Sequence, residues 1–121
     1  MRALLGAKKK GVVCLVASTA AIRGNHLTSL YSASKHAIVG FTKSMGQANP
    51  DEGVRIVCIL PGLVDSPLSR NREDDMLNRA KFHERAAIFP NDVAEVMVKM
   101  VESGRYTRGT CVLKTAHEER L

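Results

Sequence analysis

The sequence predicts an α/β fold in which a parallel sheet of about three strands is flanked by helices. Two continuous apolar runs, VVCLVA at 12–17 and VRIVCIL at 54–60, are each bounded by turn residues. That pattern is expected of short strands covered on both faces. A helical segment follows each of them, and a third short run, Thr110 to Lys114, closes the series. Strand, helix, strand, helix, strand makes two crossover units, which are right-handed and lay helices on a parallel sheet.

Taken in order, residues 2–9 (RALLGAKK) read as the end of a helix, with lysines where the C-terminal dipole favours them. Gly11 opens the first strand and Ser18 ends it. Thr19 to Ser29 is small and polar and reads as a loop. From about Leu30 to Gln47 the chain is helical, with Ala33, Ala37, Phe41 and Met45 recurring every four residues. That spacing puts them on one predicted contact face. Ala33, Ala37, Gly40 and Ser44 keep the helix slim, so that another element could approach closely. Asn49, Pro50 and Gly53 end it.

The second strand stops at Pro61-Gly62. Charges concentrate in RNREDD at 70–75, and MLNRAKFHERAA at 76–87 could form one or two short helices. Pro90-Asn91-Asp92 starts a helix. Val93, Val96, Met97, Met100 and Val101 mark its inner face up to Gly104. The tail from His117 to Arg120 is expected to fray. With 121 residues, no internal repeat and no low-complexity linker, residues 1–121 fit a single domain.

Composition sets further bounds. The chain is 45% hydrophobic and 25% charged, which suits a folded domain and not disorder. No apolar run approaches the ~18 residues of a membrane span, and the N-terminus lacks the apolar core of a secretory signal. A cytoplasmic location is the default expectation. The net charge is +6, densest at Lys8, Lys9 and Lys10. Aromatic residues are not interleaved with these charges, so a solvated helix end is favoured and no nucleic-acid partner is expected. Cys14, Cys58 and Cys111 are odd in number and widely spaced, each within an apolar run. They read as small core residues rather than a disulfide framework. Neither they nor His26, His36, His83 and His117 show ligand spacing, and no metal is expected.

The chemistry centres on Tyr31-Ser-Ala-Ser-Lys35, with Ser18 before it and Pro61-Gly62-Leu63-Val64-Asp65-Ser66 after it. Residues four apart on a helix are neighbours, roughly 5–6 Å between Cβ atoms. A free tyrosine, with a pKa of about 10, is a poor base at neutral pH. A fixed ammonium 4 Å away favours the phenolate by up to ~4 kcal/mol at an effective dielectric of about 20. That is the scale needed to make a phenol a useful acid/base. A bare Y-x-x-x-K is more often two solvent-facing side chains on an amphipathic helix. The context shifts the balance, because Ser18 and Pro61-Gly62 both end predicted parallel strands. Open α/β sheets hold their ligands at those carboxyl ends. A hydroxyl there can bond a substrate oxygen, and a glycine lets backbone approach a ligand closely.

In these motifs the sequence resembles the classical short-chain dehydrogenases/reductases. GVVCLVAST, LYSASKHAIVGFTKSM and GVRIVCILPGLVDSPL look like that family's central and C-terminal segments, so the chain reads as the C-terminal half of such a domain. The resemblance implies a partial Rossmann-like, doubly wound sheet and interconversion of small-molecule alcohols and carbonyls with NAD or NADP. It implies that Ser18 polarises the substrate oxygen and that Tyr31 exchanges its proton. Lys35 would favour the ionised phenol and hold the nicotinamide ribose. Pro61, Gly62, Val64 and Ser66 would lie along the cofactor, and full-length members form homo-oligomers.

The departures are equally specific. The glycine-rich turn T-G-x-x-x-G-x-G, the N-A-G segment and the asparagine of the family's catalytic tetrad do not occur in these 121 residues. Ser66 stands where threonine is usual. Weak or no activity is therefore expected of this chain alone. The alternative is a non-catalytic truncated form acting as an oligomerisation or interaction module. Substrate choice is expected to lie around Leu68 to Phe89.

Overall fold

In a computed structural model of the chain, residues 10–24, 26–47, 53–70, 87–117 and 119–120 are described, without the side chains of Arg70 and Arg120. They form strand β1 (Gly11–Val16), helix α1 (Ser29–Met45), strand β2 (Val54–Pro61) and the short helix α2 (Pro67–Arg70). Helix α3 (Pro90–Glu102), strand β3 (Cys111–Lys114) and the two-residue strand β4 (Glu119–Arg120) follow. The sheet order is β1-β2-β3-β4. The first three strands run parallel and β4 pairs antiparallel with β3. The expected helix at 2–9 and the short helices at 76–87 lie outside the described residues, except for Ala87.

Alternation along the strands sorts the core into two layers, one on each face of the sheet. Cys58 and Leu60 join Ala17, Ala21, Val39 and Leu113 on the α1 side. Val57 and Ile59 join Val96, Met100, Tyr106 and Val112 on the α3 side. A strand with apolar residues at consecutive positions needs cover on both faces, and the two helices supply it. The resulting architecture is a parallel α/β sheet wound on both sides. Among the described residues no helix is long and apolar enough to cross a membrane.

Several details differ from the sequence reading. The buried residues of α1 are Ser32, Val39 and Thr42. Ala33, Ala37 and Phe41 lie on exposed surface, with Phe41 49% accessible. Thr42 can be buried because its hydroxyl donates to the Ile38 carbonyl at 2.8 Å, which settles its polar atom within the helix. Thr19 to Ser29 is not plain loop: it contains 3-10 turns at Thr19–Ala21 and His26–Thr28. Strand β1 is half-buried rather than fully covered, because among the described residues it has a neighbour on one side only. The expected frayed tail includes β4, whose Glu119 and Arg120 register with Lys114 and Leu113.

Helix α3 begins as its Pro90 start predicts. The Asp92 carboxylate accepts from the Phe89 N–H at 2.6 Å, meeting a backbone donor that the helix leaves unpaired. At its other end, Arg55 of β2 donates to the carbonyls of Val101 (2.8 Å), Ser103 (3.0 Å) and Tyr106. A cation at that end also meets the negative pole of the helix.

Candidate active site

The carboxyl ends of β1 and β2 lie side by side, with Val16 in register with Ile59. Beyond β1, Ser18 keeps an extended backbone and its Oγ accepts from the Ala20 N–H at 3.2 Å, starting the Thr19–Ala21 turn. A hydroxyl that accepts in this way still has its own proton to donate.

Tyr31 sits in the first turn of α1 and is 40% exposed. One turn further on, the Lys35 ammonium lies 5.6 Å from the centre of the Tyr31 ring. Its Nζ also donates to the Val16 carbonyl at 3.1 Å, tying the helix to the tip of β1. The 5.6 Å separation from the ring matches a cation held over an aromatic face. The hydroxyl of Ser32, beside Tyr31, is buried with no hydrogen-bond partner among the described residues.

Beyond β2, the chain passes through Gly62, whose N–H donates to the Lys114 carbonyl at 2.8 Å. The next residues bridge to the segment before α3: Ile88 N–H donates to Leu63 O and Asp65 N–H to Ile88 O, both at 2.8 Å. Ser66 and Ser69 then form a small hydroxyl network. Their Oγ atoms are 3.2 Å apart, and Ser69 Oγ lies 2.6 Å from the Val64 carbonyl. A Cβ placed on Gly62 would meet only ordinary contacts, the nearest being Thr115 Cγ2 at 3.4 Å. The chain's own packing therefore does not demand glycine there.

All seven site residues singled out from the sequence line one cleft of about 520 Å3: Ser18, Tyr31, Lys35, Pro61, Gly62, Val64 and Ser66. Val16, Leu63 and Leu68 supply apolar wall, and Thr19 and Ser69 add hydroxyls. Sequence reasoning passed over Ser69. The available signal was S-x-x-S at 66–69, a spacing at which one hydroxyl can cap the turn that carries the other.

The cleft lies at the carboxyl ends of parallel strands in an α/β sheet wound on both faces, the place where open α/β sheets generally hold their ligands. The family model for short chain dehydrogenase matches residues 1–77, and the chain belongs to that family. The dehydrogenase/reductase SDR family member 6 of Danio rerio is 42% identical over 67 residues, covering 54% of this chain and 27% of that protein. Among solved structures, the 3-ketoacyl-(acyl-carrier-protein) reductase of Brucella melitensis complexed with NADH superposes with a TM-score of 0.75 at 23% identity. That match covers 95% of this chain and 47% of the reductase. ElxO with NADP bound gives a TM-score of 0.73 at 19% identity, covering 93% and 47%. The chain thus spans about half the length of these structures, whose likeness is one of fold.

Proposed function

We propose that the cleft receives the nicotinamide end of NAD or NADP together with the oxygen of an alcohol or carbonyl compound. The chain would then carry the acid/base apparatus of an alcohol–carbonyl oxidoreductase. One observation carries this reading: Ser18, Tyr31 and Lys35 meet the Pro61–Ser66 segment in a single cleft.

The residues present fit a nicotinamide ring and its ribose. Apolar side chains line it beside hydroxyls and one cation, and Gly62 brings bare backbone to the lining where a Cβ would have met only ordinary contacts. The cofactor, when bound, supplies or accepts the hydride. Tyr31 Oη gives the proton to the substrate oxygen on reduction and takes it on oxidation. Lys35 stands over the Tyr31 ring, 5.6 Å from its centre, and is the cation offered to the ribose. Ser18 donates to the substrate oxygen and fixes its direction. Val64 backbone and the Ser66 hydroxyl line the nicotinamide side. Both kinds of cofactor fit this reading, since the structural relatives hold NADH in one case and NADP in another. The glycine-rich phosphate-binding turn is not among the 121 residues, so turnover by this chain alone is expected to be slow or absent.

The test uses nicotinamide mononucleotide, which needs no dinucleotide-binding half. Titrated into the chain and followed by NMR, it should shift amide signals of Ser18, Tyr31, Leu63, Val64 and Ser66. Tyr31→Phe should leave the chain folded and reduce the response. No response at these residues at millimolar ligand would reject the assignment.

A second reading is an oligomerisation or interaction module. It is favoured by the exposed face of α1, where Leu30 (86% accessible) and Phe41 flank the small Ala33, Ala37 and Gly40. A homo-oligomer formed through this face is compatible with the catalytic reading. A monomer in sedimentation at high concentration would dismiss it.

A further inference from the structure

Tyr31 and Thr19 belong to two hollows. One is the cleft over Pro61–Ser66. The other, of about 450 Å3, is lined by Arg23, His26, Thr28 and the small residues Ala20 and Gly24, in addition to Tyr31 and Thr19. The two differ in character. The first has apolar walls and the Lys35 cation. In the second, Arg23 is the formal positive charge, and no acidic side chain stands among the described lining residues. Two short turns frame it, Thr19–Ala21 and His26–Thr28. The first turn is fixed by the Ser18 cap and by the burial of Ala21.

We propose that this second hollow recognises the far end of the substrate and selects a compound bearing a carboxylate, held by Arg23. The inference rests on the cofactor reading above, which assigns the first cleft to nicotinamide. A substrate whose reacting oxygen touches Tyr31 then extends past Thr19 towards Arg23. Guanidinium offers paired N–H donors in a plane, matching the two oxygens of a carboxylate. Thr19, Thr28 and His26 also line the hollow and are residue types that carry further hydrogen-bonding groups. Arg23 is exposed, so screening keeps its contribution modest, and selection of about tenfold is the expected scale.

Levulinate and its methyl ester are suitable probes, since both carry the ketone and only the acid carries charge. Titrated into the chain by NMR, levulinate should bind about tenfold more tightly than the ester. Its shifts should centre on the amides of Thr19, Arg23 and Thr28. Arg23→Gln should bring the two probes level while leaving the nicotinamide mononucleotide response intact, which shows that the variant is folded. Equal affinity for acid and ester in the wild type, no binding of either, or an acid preference that survives Arg23→Gln would each overturn the proposal. The two readings separate cleanly. Arg23-dependent levulinate binding without any mononucleotide response would sink the cofactor assignment and leave an anion site. A mononucleotide response without acid preference would do the reverse.

Discussion

Lys35 Nζ donates to the Val16 carbonyl at 3.1 Å, so the cation paired with Tyr31 is anchored to the tip of β1. A lysine held at both ends of its reach cannot wander from the cleft as a free surface lysine would. Lys35→Met keeps the apolar stem and removes the ammonium. It should cost about 1 kcal/mol in urea denaturation, because the hydrogen bond is solvent-accessible. It should also weaken nicotinamide mononucleotide roughly tenfold. An unchanged affinity would place the ribose contact elsewhere.

Gly109 and Gly46 bring the turn before β3 against the C-terminal end of α1. Gly109 has φ +77°, and a Cβ on it would fall 2.9 Å from Gly46 Cα. The left-handed conformation costs other residues about 1–2 kcal/mol, and overpacking typically adds 1–3. Gly109→Ala should therefore destabilise by about 2–5 kcal/mol. Gly40 provides the contrast, since a Cβ there meets nothing within 4 Å. Gly40→Ala should stabilise the monomer by about 1 kcal/mol through helix propensity. If copies pair through α1, the same change should loosen their association, which sedimentation would detect.

Arg55 interrupts an otherwise apolar strand and donates to three carbonyls at and beyond the end of α3. Arg55→Met preserves the packed stem but leaves those carbonyl acceptors to solvent or without a donor. A loss of about 2–3 kcal/mol is expected, read by thermal or chemical unfolding. A loss under about 0.5 kcal/mol would mean that water replaces the guanidinium at no cost.

Arg55 also illustrates where the sequence stops being informative. The strands were legible because a run such as VRIVCIL can hardly be placed except beneath cover on both faces. Pro90 and Asp92 announced α3 through local chemistry alone. The Tyr31–Lys35 pair was legible because helix geometry makes neighbours of residues four apart. The inward face of α1 was not. Small residues at a four-residue spacing suggested contact, whereas burial followed Ser32, Val39 and Thr42. In Thr42 the polar atom is satisfied within its own helix, and a hydropathy pattern cannot register that. Register between strands was equally hidden, and with it the pairing of Cys58 with Cys111.

That pairing gives the cysteines distinct reactivity. The hydrogen bond from Cys58 lowers the Cys111 thiol to about 7, and nearby Lys43 assists against the opposing effect of burial. Cys58 is pushed up by the same hydrogen bond and by burial, and Cys14 by burial. Thiolate is the reactive form, so alkylation of Cys111 should rise through pH about 7, below its ordinary 9.0. Cys14 and Cys58 should lag. The sign for stability follows from the lowered value. The Cys111 contribution is present above pH about 9 and is lost as the pH falls through about 7. Mass spectrometry of iodoacetamide-treated protein across this range would check the order. Cys58→Ala should move the Cys111 profile to higher pH, and an unmoved profile would remove Cys58 as its cause.

The central claim is that the Tyr31 ring faces a nicotinamide across the Ser18–Lys35 cleft. Nuclear Overhauser contacts between bound nicotinamide mononucleotide and the chain test this most directly. Cross-peaks from the nicotinamide ring protons to the Tyr31 ring and the Val64 methyls are predicted. Binding whose ring contacts fall wholly outside the residues lining that cleft, or no binding, would contradict it.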